Sequence, residues 1–407
     1  MKLLQVNSEI GRLKKVLLHR PGKELENLTP RLLDRLLFDD IPWLELAIEE
    51  HDAFANILKD QGVEILYLED LITETLDQDP KIKEKFINQL IEEANVTSET
   101  ISEVLKQYLY SFSTKEMILK TMAGVNKNEL PHYTKKSLED YIREYPFVLD
   151  PMPNLYFTRD PFAIIGSGVS INKMYTTTRR RESIYGEYIF KYHDIYGDDE
   201  IPIYYNRYNK ATIEGGDIII LNDEIIAVGI SQRTHPAGIE GLAKNIFSTN
   251  RKIKKIIAID IPKIRAFMHL DTVFTQVDYD KFTIHDEINQ EFTVYELTKS
   301  NNRDFNIKIT PKQQKIDKVL SENLGRDIKL IPCGGGDIIA SSREQWSDGA
   351  NTLAIAPGEV IVYKRNTITN KILVENGIKI YPISASELSR GRGGPRCMSI
   401  AFYRESL

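Results

Sequence analysis

A cluster of polar turn residues recurs along this chain at intervals of roughly sixty residues, as expected of a repeated supersecondary unit. The clusters are Asn154–Asp160, Glu214–Asp217, His269–Asp271, Gly334–Asp337 and Gly391–Cys397, each opening a pair of strands. The clearest copy follows Glu214, where Asp217–Leu221 and Ile225–Ile230 read as strands joined by the Asn222–Asp223 turn. Pro236–Phe247 then carries Ile239, Leu242, Ala243 and Ile246 at amphipathic-helix spacing, and Ile256–Ile261 is a β-branched run that predicts a buried strand. The unit is therefore ββαβ. Met1–Asp70 supplies another copy, with its helix at Ile41–Gln61 and its last strand at Val63–Leu68. Its first hairpin strand would come from Met398–Tyr403, closing a ring.

The expected fold class is thus α/β, a five-bladed pseudo-symmetric α/β propeller whose turn clusters converge on one central site. Between Leu71 and Leu149 the pattern turns helical and rich in Lys and Glu, as in Ile82-Phe86-Leu90-Ile91 and Ile101-Leu105-Leu109. Residues 1–70 and 150–407 would form the propeller and 71–149 a helical insertion domain, read as a bundle packed on the ring.

A net charge of −6, with no run of five or more like charges, gives no footprint for nucleic acid or an anionic membrane. Glu9, Arg12, Lys14 and Lys15 interrupt the amino-terminal stretch, which lacks the apolar core of a signal peptide, and apolar runs are strand-sized. A cytoplasmic enzyme with a small-molecule partner is the expectation. Cys333 and Cys397 are the only cysteines and are far apart in sequence, so they form neither a disulfide framework nor a CxxC metal site. Either can be a small buried apolar residue or a nucleophile.

The segments Asn154-Leu-Tyr-Phe-Thr-Arg-Asp160, Glu214-Gly-Gly-Asp217, Met268-His269-Leu-Asp271 and Gly391-Arg392-Gly-Gly-Pro-Arg-Cys397, in this order and spacing, closely resemble the arginine deiminases of the guanidino-modifying superfamily. The resemblance runs the full length. It implies the pentein propeller, hydrolysis of L-arginine to citrulline and ammonia, a homodimer or larger homo-oligomer, and neither metal nor organic cofactor. It also implies a place at the start of a fermentative pathway through ornithine and carbamoyl phosphate.

The residue types suit that chemistry, because a guanidinium is a planar cation whose forked donors two carboxylates can grip. By resemblance Asp160 and Asp271 are that clamp and Cys397 is the nucleophile. His269 transfers protons and Glu214 orients it. Asp217 contacts the substrate, Arg179 and Arg233 bind its carboxylate with Asn154 assisting, Phe157 lines the aliphatic stem, and Arg392 is a mobile gate between glycines. A free thiol is only a few per cent ionised at neutral pH, so substrate-assisted ionisation of Cys397 is expected.

His19, His51, His132, His193, His235 and His285 have no such company and read as surface or packing residues. His269-x-Asp271 also fits a pair of metal ligands, but no further ligands stand at recognisable spacing. The rival readings are an agmatine-type deiminase, an amidinotransferase, and a silent arginine-binding protein on the same fold.

Overall fold

Ile218–Ile220 and Ile225–Ile230 contain no exposed position, and they pair antiparallel with Ile220 opposite Ile226. Such unbroken apolar runs are what a strand covered on both faces requires. The chain then enters a helix at Pro236, where a missing N–H costs nothing, and His235 Nδ1 accepts from the Ala237 N–H. After Thr249 it returns as Lys255–Asp260, parallel to Ile225–Ile230. This is the ββαβ unit expected from sequence.

The computed structural model describes residues 4–96, 98–131, 141, 145–288, 291–300 and 307–407. Among them the same order, an antiparallel hairpin extended by a parallel strand, recurs at four further places. Phe162–Ile165, Gly168–Ile171 and Ile203–Tyr205 form one copy. Phe274–Gln276, Lys281–Ile284 and Lys329–Pro332 form the next, and Leu353–Ala356, Glu359–Tyr363 and Lys379–Ile383 another. In the remaining copy Leu13–Leu18 pairs antiparallel with Ile400–Arg404 and parallel with Glu64–Tyr67, so the two ends of the chain share a sheet as expected.

Two features depart from the repeat pattern. Gly334, Gly335 and Gly336 take φ of 72°, 73° and 83°, a left-handed turn that glycine alone adopts cheaply. Asp337 then caps the helix Ile338–Trp346, so this cluster opens a helix, and the hairpin at Leu353 is preceded instead by Asp348-Gly-Ala-Asn351. Second, Glu291–Lys299 and Ile307–Lys315 form a hairpin laid antiparallel on Lys255–Asp260, widening that sheet to five strands.

Helices Leu68–Asp77, Pro80–Glu93, Glu99–Tyr110 and Thr114–Ala123 occupy the region expected to be helical, the first beginning three residues before Leu71. Pro80–Glu93 is fastened to the helix Ser183–Tyr192 of a repeated unit by apolar contact: the Phe86 ring lies 5.2 Å from that of Tyr188 and 5.9 Å from that of Tyr185. No helix among the described residues is long and apolar enough to cross a membrane. His19 corrects the sequence reading, since it is buried between Glu69 (2.8 Å) and Glu24 (3.0 Å). Burial would lower its pKa, but the two carboxylates raise it to about 10. His51 is buried with both ring nitrogens unpartnered, His193 faces Glu74, His235 is the cap already described, and His132 lies outside the described residues.

One polar contact joins the chain ends deep in the core. Arg396, 1% exposed, places Nε and Nη2 each 3.0 Å from the two oxygens of Glu9, and donates to the Ile218 carbonyl at 2.8 Å. Burial opposes the Glu9 charge, yet Arg396, Arg159 and Arg404 hold its pKa down at about 2. A depressed carboxylate stabilises the fold above its unfolded value near 4.5, and this contribution disappears as pH falls through about 2. Glu9→Gln should therefore cost about 3–5 kcal/mol at neutral pH by stranding buried guanidinium groups, and should flatten the acid limb of stability. Urea unfolding across pH checks this, and a cost below ~1 kcal/mol would contradict it.

Candidate active site

The turns at the starts of the repeated hairpins meet around Cys397. Gly215 and Gly216 make the meeting possible, because a Cβ on the first would lie 2.0 Å from the Arg159 carbonyl and one on the second 2.8 Å from the His269 ring. That close approach sets His269 Nε2 2.7 Å from Glu214 Oε2 and Nδ1 3.8 Å from Asp160 Oδ1, all three residues being buried. The other Glu214 oxygen accepts from the Tyr175 N–H at 2.8 Å. Burial would discharge the imidazole, but Asp160 and the Glu214 hydrogen bond push its pKa well up. Burial likewise opposes the Glu214 charge, and His269, then Arg233 and Arg179, push that carboxyl down. The pair is an imidazolium and a carboxylate at neutral pH.

Cys397 is 3% exposed; its N–H donates to Asn351 Oδ1 at 3.2 Å and its Sγ lies 3.6 Å from Asp271 Oδ2. Burial raises its pKa well above the usual thiol value, Asp271, Asp160 and Asp348 add to the effect, and Arg396 only partly offsets it. The resting group is a neutral thiol. Cys333 is fully buried beside Thr369 and lies outside this cluster.

Both clamp carboxylates are half used. Asp160 Oδ2 accepts from Arg179 Nη1 at 2.8 Å and Asp271 Oδ2 from Arg396 Nη1 at 2.7 Å. The other oxygen of each, Asp160 Oδ1 and Asp271 Oδ1, is buried with no hydrogen-bond partner. An unmade bond at a buried charged oxygen costs more than the ~1–3 kcal/mol of a neutral one. Each of these carboxylates therefore keeps one oxygen able to accept from a cationic donor, with the Cys397 thiol 3.6 Å from the other oxygen of Asp271.

Asn154, Phe157, Asp160, Arg179, Arg233, His269, Arg392 and Cys397 line one cavity of about 20 Å³ together with Leu37, Met268 and Gly391. That holds a single water, so the site is closed around its own side chains. Arg233 and Arg392 reach it with Nε and Nη1 unpartnered. Arg179 instead spends its donors on Asp160 and, at 3.0 Å, on both oxygens of Glu182. Asn154 donates to the Leu36 carbonyl at 2.6 Å. Asp217, expected at the substrate, stands outside the lining of this cavity, as Asp271 also does; its oxygens take the Ser231 hydroxyl at 2.6 Å and the Leu270 N–H at 2.8 Å. It braces the turn that carries His269 and Asp271. Burial raises its pKa to about 7.

Single ligand atoms of Asp160, Glu214 and His269 lie within 4.8 Å of one another, a spacing a metal ion could use. His269 Nε2 and Glu214 Oε2 are already bonded to each other, so a metal ion using those atoms would have to displace that charge-assisted contact.

This arrangement of a buried thiol, imidazolium and paired carboxylates sits on the α/β pentein fold. Dimethylarginine dimethylaminohydrolase from Pseudomonas aeruginosa, solved with citrulline, matches with a TM-score of 0.53 and 16% identity, over 96% of this chain and 100% of that one. An amidinotransferase of saxitoxin biosynthesis from Microseira wollei matches with a TM-score of 0.56 and 15% identity, over 99% and 98%. Within that class the assignment is narrower: the profile of the arginine deiminase family matches residues 34–404. Arginine deiminases from Clostridium perfringens (55% identical) and Borrelia duttonii (53%) align over 100% of this chain and 99% of their own lengths. The chain belongs to the arginine deiminase family.

The charge arrangement fixes how the free thiol titrates. The thiolate absorbance assigned to Cys397, taken as the difference from Cys397→Ser, should be absent at neutral pH and should rise only above the ordinary thiol range near about 8.5. Asp271→Asn removes the nearest raising charge and should move that rise to lower pH. A wild-type thiolate already formed at pH 7 would refute the assignment.

Proposed function

We propose that the chain hydrolyses L-arginine to L-citrulline and ammonia, and that the unpartnered oxygens Asp160 Oδ1 and Asp271 Oδ1 receive the substrate guanidinium. This pair of oxygens is the observation that carries the reading. A guanidinium offers the donors both lack, and gripping it from two sides holds its central carbon against Cys397.

The reaction then follows from the resting charges. A substrate cation roughly 4 Å from the thiol is worth about 4 kcal/mol at an effective dielectric near 20, enough to bring the thiolate within reach of neutral pH, its proton passing to solvent. Sulfur bonds to the guanidino carbon, a terminal C–N bond breaks, and His269, protonated at rest, gives its proton to the departing ammonia. The remainder of arginine stays on sulfur as an alkylthiouronium. The now neutral His269 takes a proton from water as that water attacks the same carbon, and cleavage of the C–S bond releases citrulline. Glu214 keeps the imidazole oriented and favours its charged form throughout.

At the other end, Arg233 and Arg392 have donors to spare for the substrate carboxylate, with Arg179 and Asn154 completing the wall and Phe157 lining the stem. In this reading the five ββαβ units close as a five-bladed propeller, supported by the sheet shared between the chain ends and by the turns gathered at Cys397. Residues 71–149 are its helical insertion domain, and the enzyme is a cytoplasmic homo-oligomer without nucleic-acid partners, opening arginine catabolism.

Rapid acid quenching during turnover should give a Cys397 adduct heavier than the enzyme by arginine minus ammonia, with citrulline carrying label from isotopic water. A bare amidino adduct, or ornithine as product, would make the protein an amidinotransferase. Agmatine lacks the carboxylate that Arg233 and Arg392 await, so its kcat/KM should be at least ~100-fold below that of arginine, since leaving the two cations unpaired forfeits about 1.5–3 kcal/mol for each. Equal turnover of the two would reassign these arginines.

A further inference from the structure

Arg392 rests in an unusual position for a cation. Its backbone is left-handed at φ 63°, and although only 6% exposed its guanidinium leaves Nε and Nη1 without hydrogen-bond partners. The nearest carboxylate contact, to Asp39 Oδ2, is 3.9 Å, beyond hydrogen-bond reach. What holds the group is a ring: its central carbon lies 3.4 Å from the centroid of Trp346, the last residue of the helix Ile338–Trp346. Two residues beyond that helix stands Asp348, itself left-handed at φ 58°, 3% exposed and with Oδ2 unpartnered. The turn is held by Asn366, which donates to the Ser347 carbonyl at 2.9 Å.

The arrangement is a stack in place of hydrogen bonds. A buried guanidinium with two unmade N–H bonds is poorly satisfied, whereas a ring face still attracts it without competing for its donors. Such a position holds a cation between bound states and releases it when an oxygen acceptor arrives. Resting on the functional reading above, in which that acceptor is the substrate carboxylate, we infer that Trp346 is a positioning residue, a parking platform for Arg392 in the substrate-free enzyme. Asp348 supplies the negative field that keeps the parked cation at this side of the cavity. The platform and the substrate compete for one guanidinium, so the strength of the stack sets part of the apparent affinity for arginine.

The sequence contains two tryptophans, Trp43 and Trp346, and the Trp43 ring is solvent-exposed, so Trp43→Phe leaves the platform as its own reporter. In Trp43→Phe/Cys397→Ala protein, which binds without turnover, saturating L-arginine should shift the Trp346 emission. Adding Arg392→Ala should produce the shifted emission from the outset and abolish the response to saturating arginine. In steady-state assays Trp346→Ala should lower KM for arginine about two- to fivefold, the size of one partly exposed cation–π contact, and Trp346→Phe should restore most of it. Unchanged emission while calorimetry records arginine binding would overturn the inference, as would a KM that rises or stays put in Trp346→Ala. Absence of calorimetric binding, or of citrulline from the Trp43→Phe enzyme, would instead fault the functional reading beneath it.

Discussion

The fold turns on a single buried guanidinium. Arg396 grips Glu9 with two donors and Asp271 with a third, and gives another bond to a strand carbonyl of a different unit. A cation so deep in the protein would be intolerable unpaired, so the segment around Glu9, the units opened by Glu214–Asp217 and His269–Asp271 and the segment carrying Cys397 are constrained to one mutual position. The site inherits its precision from that constraint. Asp271 is aimed by the same arginine that anchors Glu9, and Cys397 is the next residue along the chain.

Electrostatics within the cavity carry this logic further. Asp160 and Asp271 both act on the thiol, and the protein's own arginines cover half of each carboxylate. The covering is incomplete, because Arg179 and Arg396 reach one oxygen apiece. The charge left uncovered on these carboxylates, with burial, keeps the thiol protonated, and Asp160 with Glu214 keeps the imidazole charged. Ground-state reactivity is suppressed by the same groups that would create it on binding, a coupling built into the positions of two aspartates.

Much of this was legible in the sequence because the repeated unit announces itself in β-branched runs and turn residues, and because four motif segments specify the reacting groups by type. What was hidden shows why. The Glu291–Lys315 hairpin has a partly exposed outer strand, Ile-Lys-Ile-Thr-Pro-Lys-Gln-Gln-Lys, with little apolar alternation to mark it. The Gly334 cluster resembles the true hairpin-opening turns in composition, yet three left-handed glycines steer it into a helix. Asp348-Gly-Ala-Asn351 was the better candidate, an Asp-Gly turn immediately before an apolar run, and it supplies the Cys397 contact that motif reading missed. The pairing of Arg396 with Glu9 has no local signal, since the partners stand 387 positions apart. Arg179 lines the cavity, but its engagement with Asp160 and Glu182 is a fact of packing that spacing does not encode.

The shared sheet of Leu13–Leu18 and Ile400–Arg404 has a consequence for how the protein is made. During synthesis the strand Leu13–Leu18 leaves the ribosome with one edge unpaired and Glu9 without its counter-charge, and Glu9 waits for a partner translated 387 positions later. Closing contacts so distant in sequence is slow, and an open strand edge invites pairing with other chains while it lasts. Cys397 arrives with the segment that ends the wait. Its reactive environment therefore assembles in the same event that completes the fold, and no partly synthesised chain carries a working nucleophile.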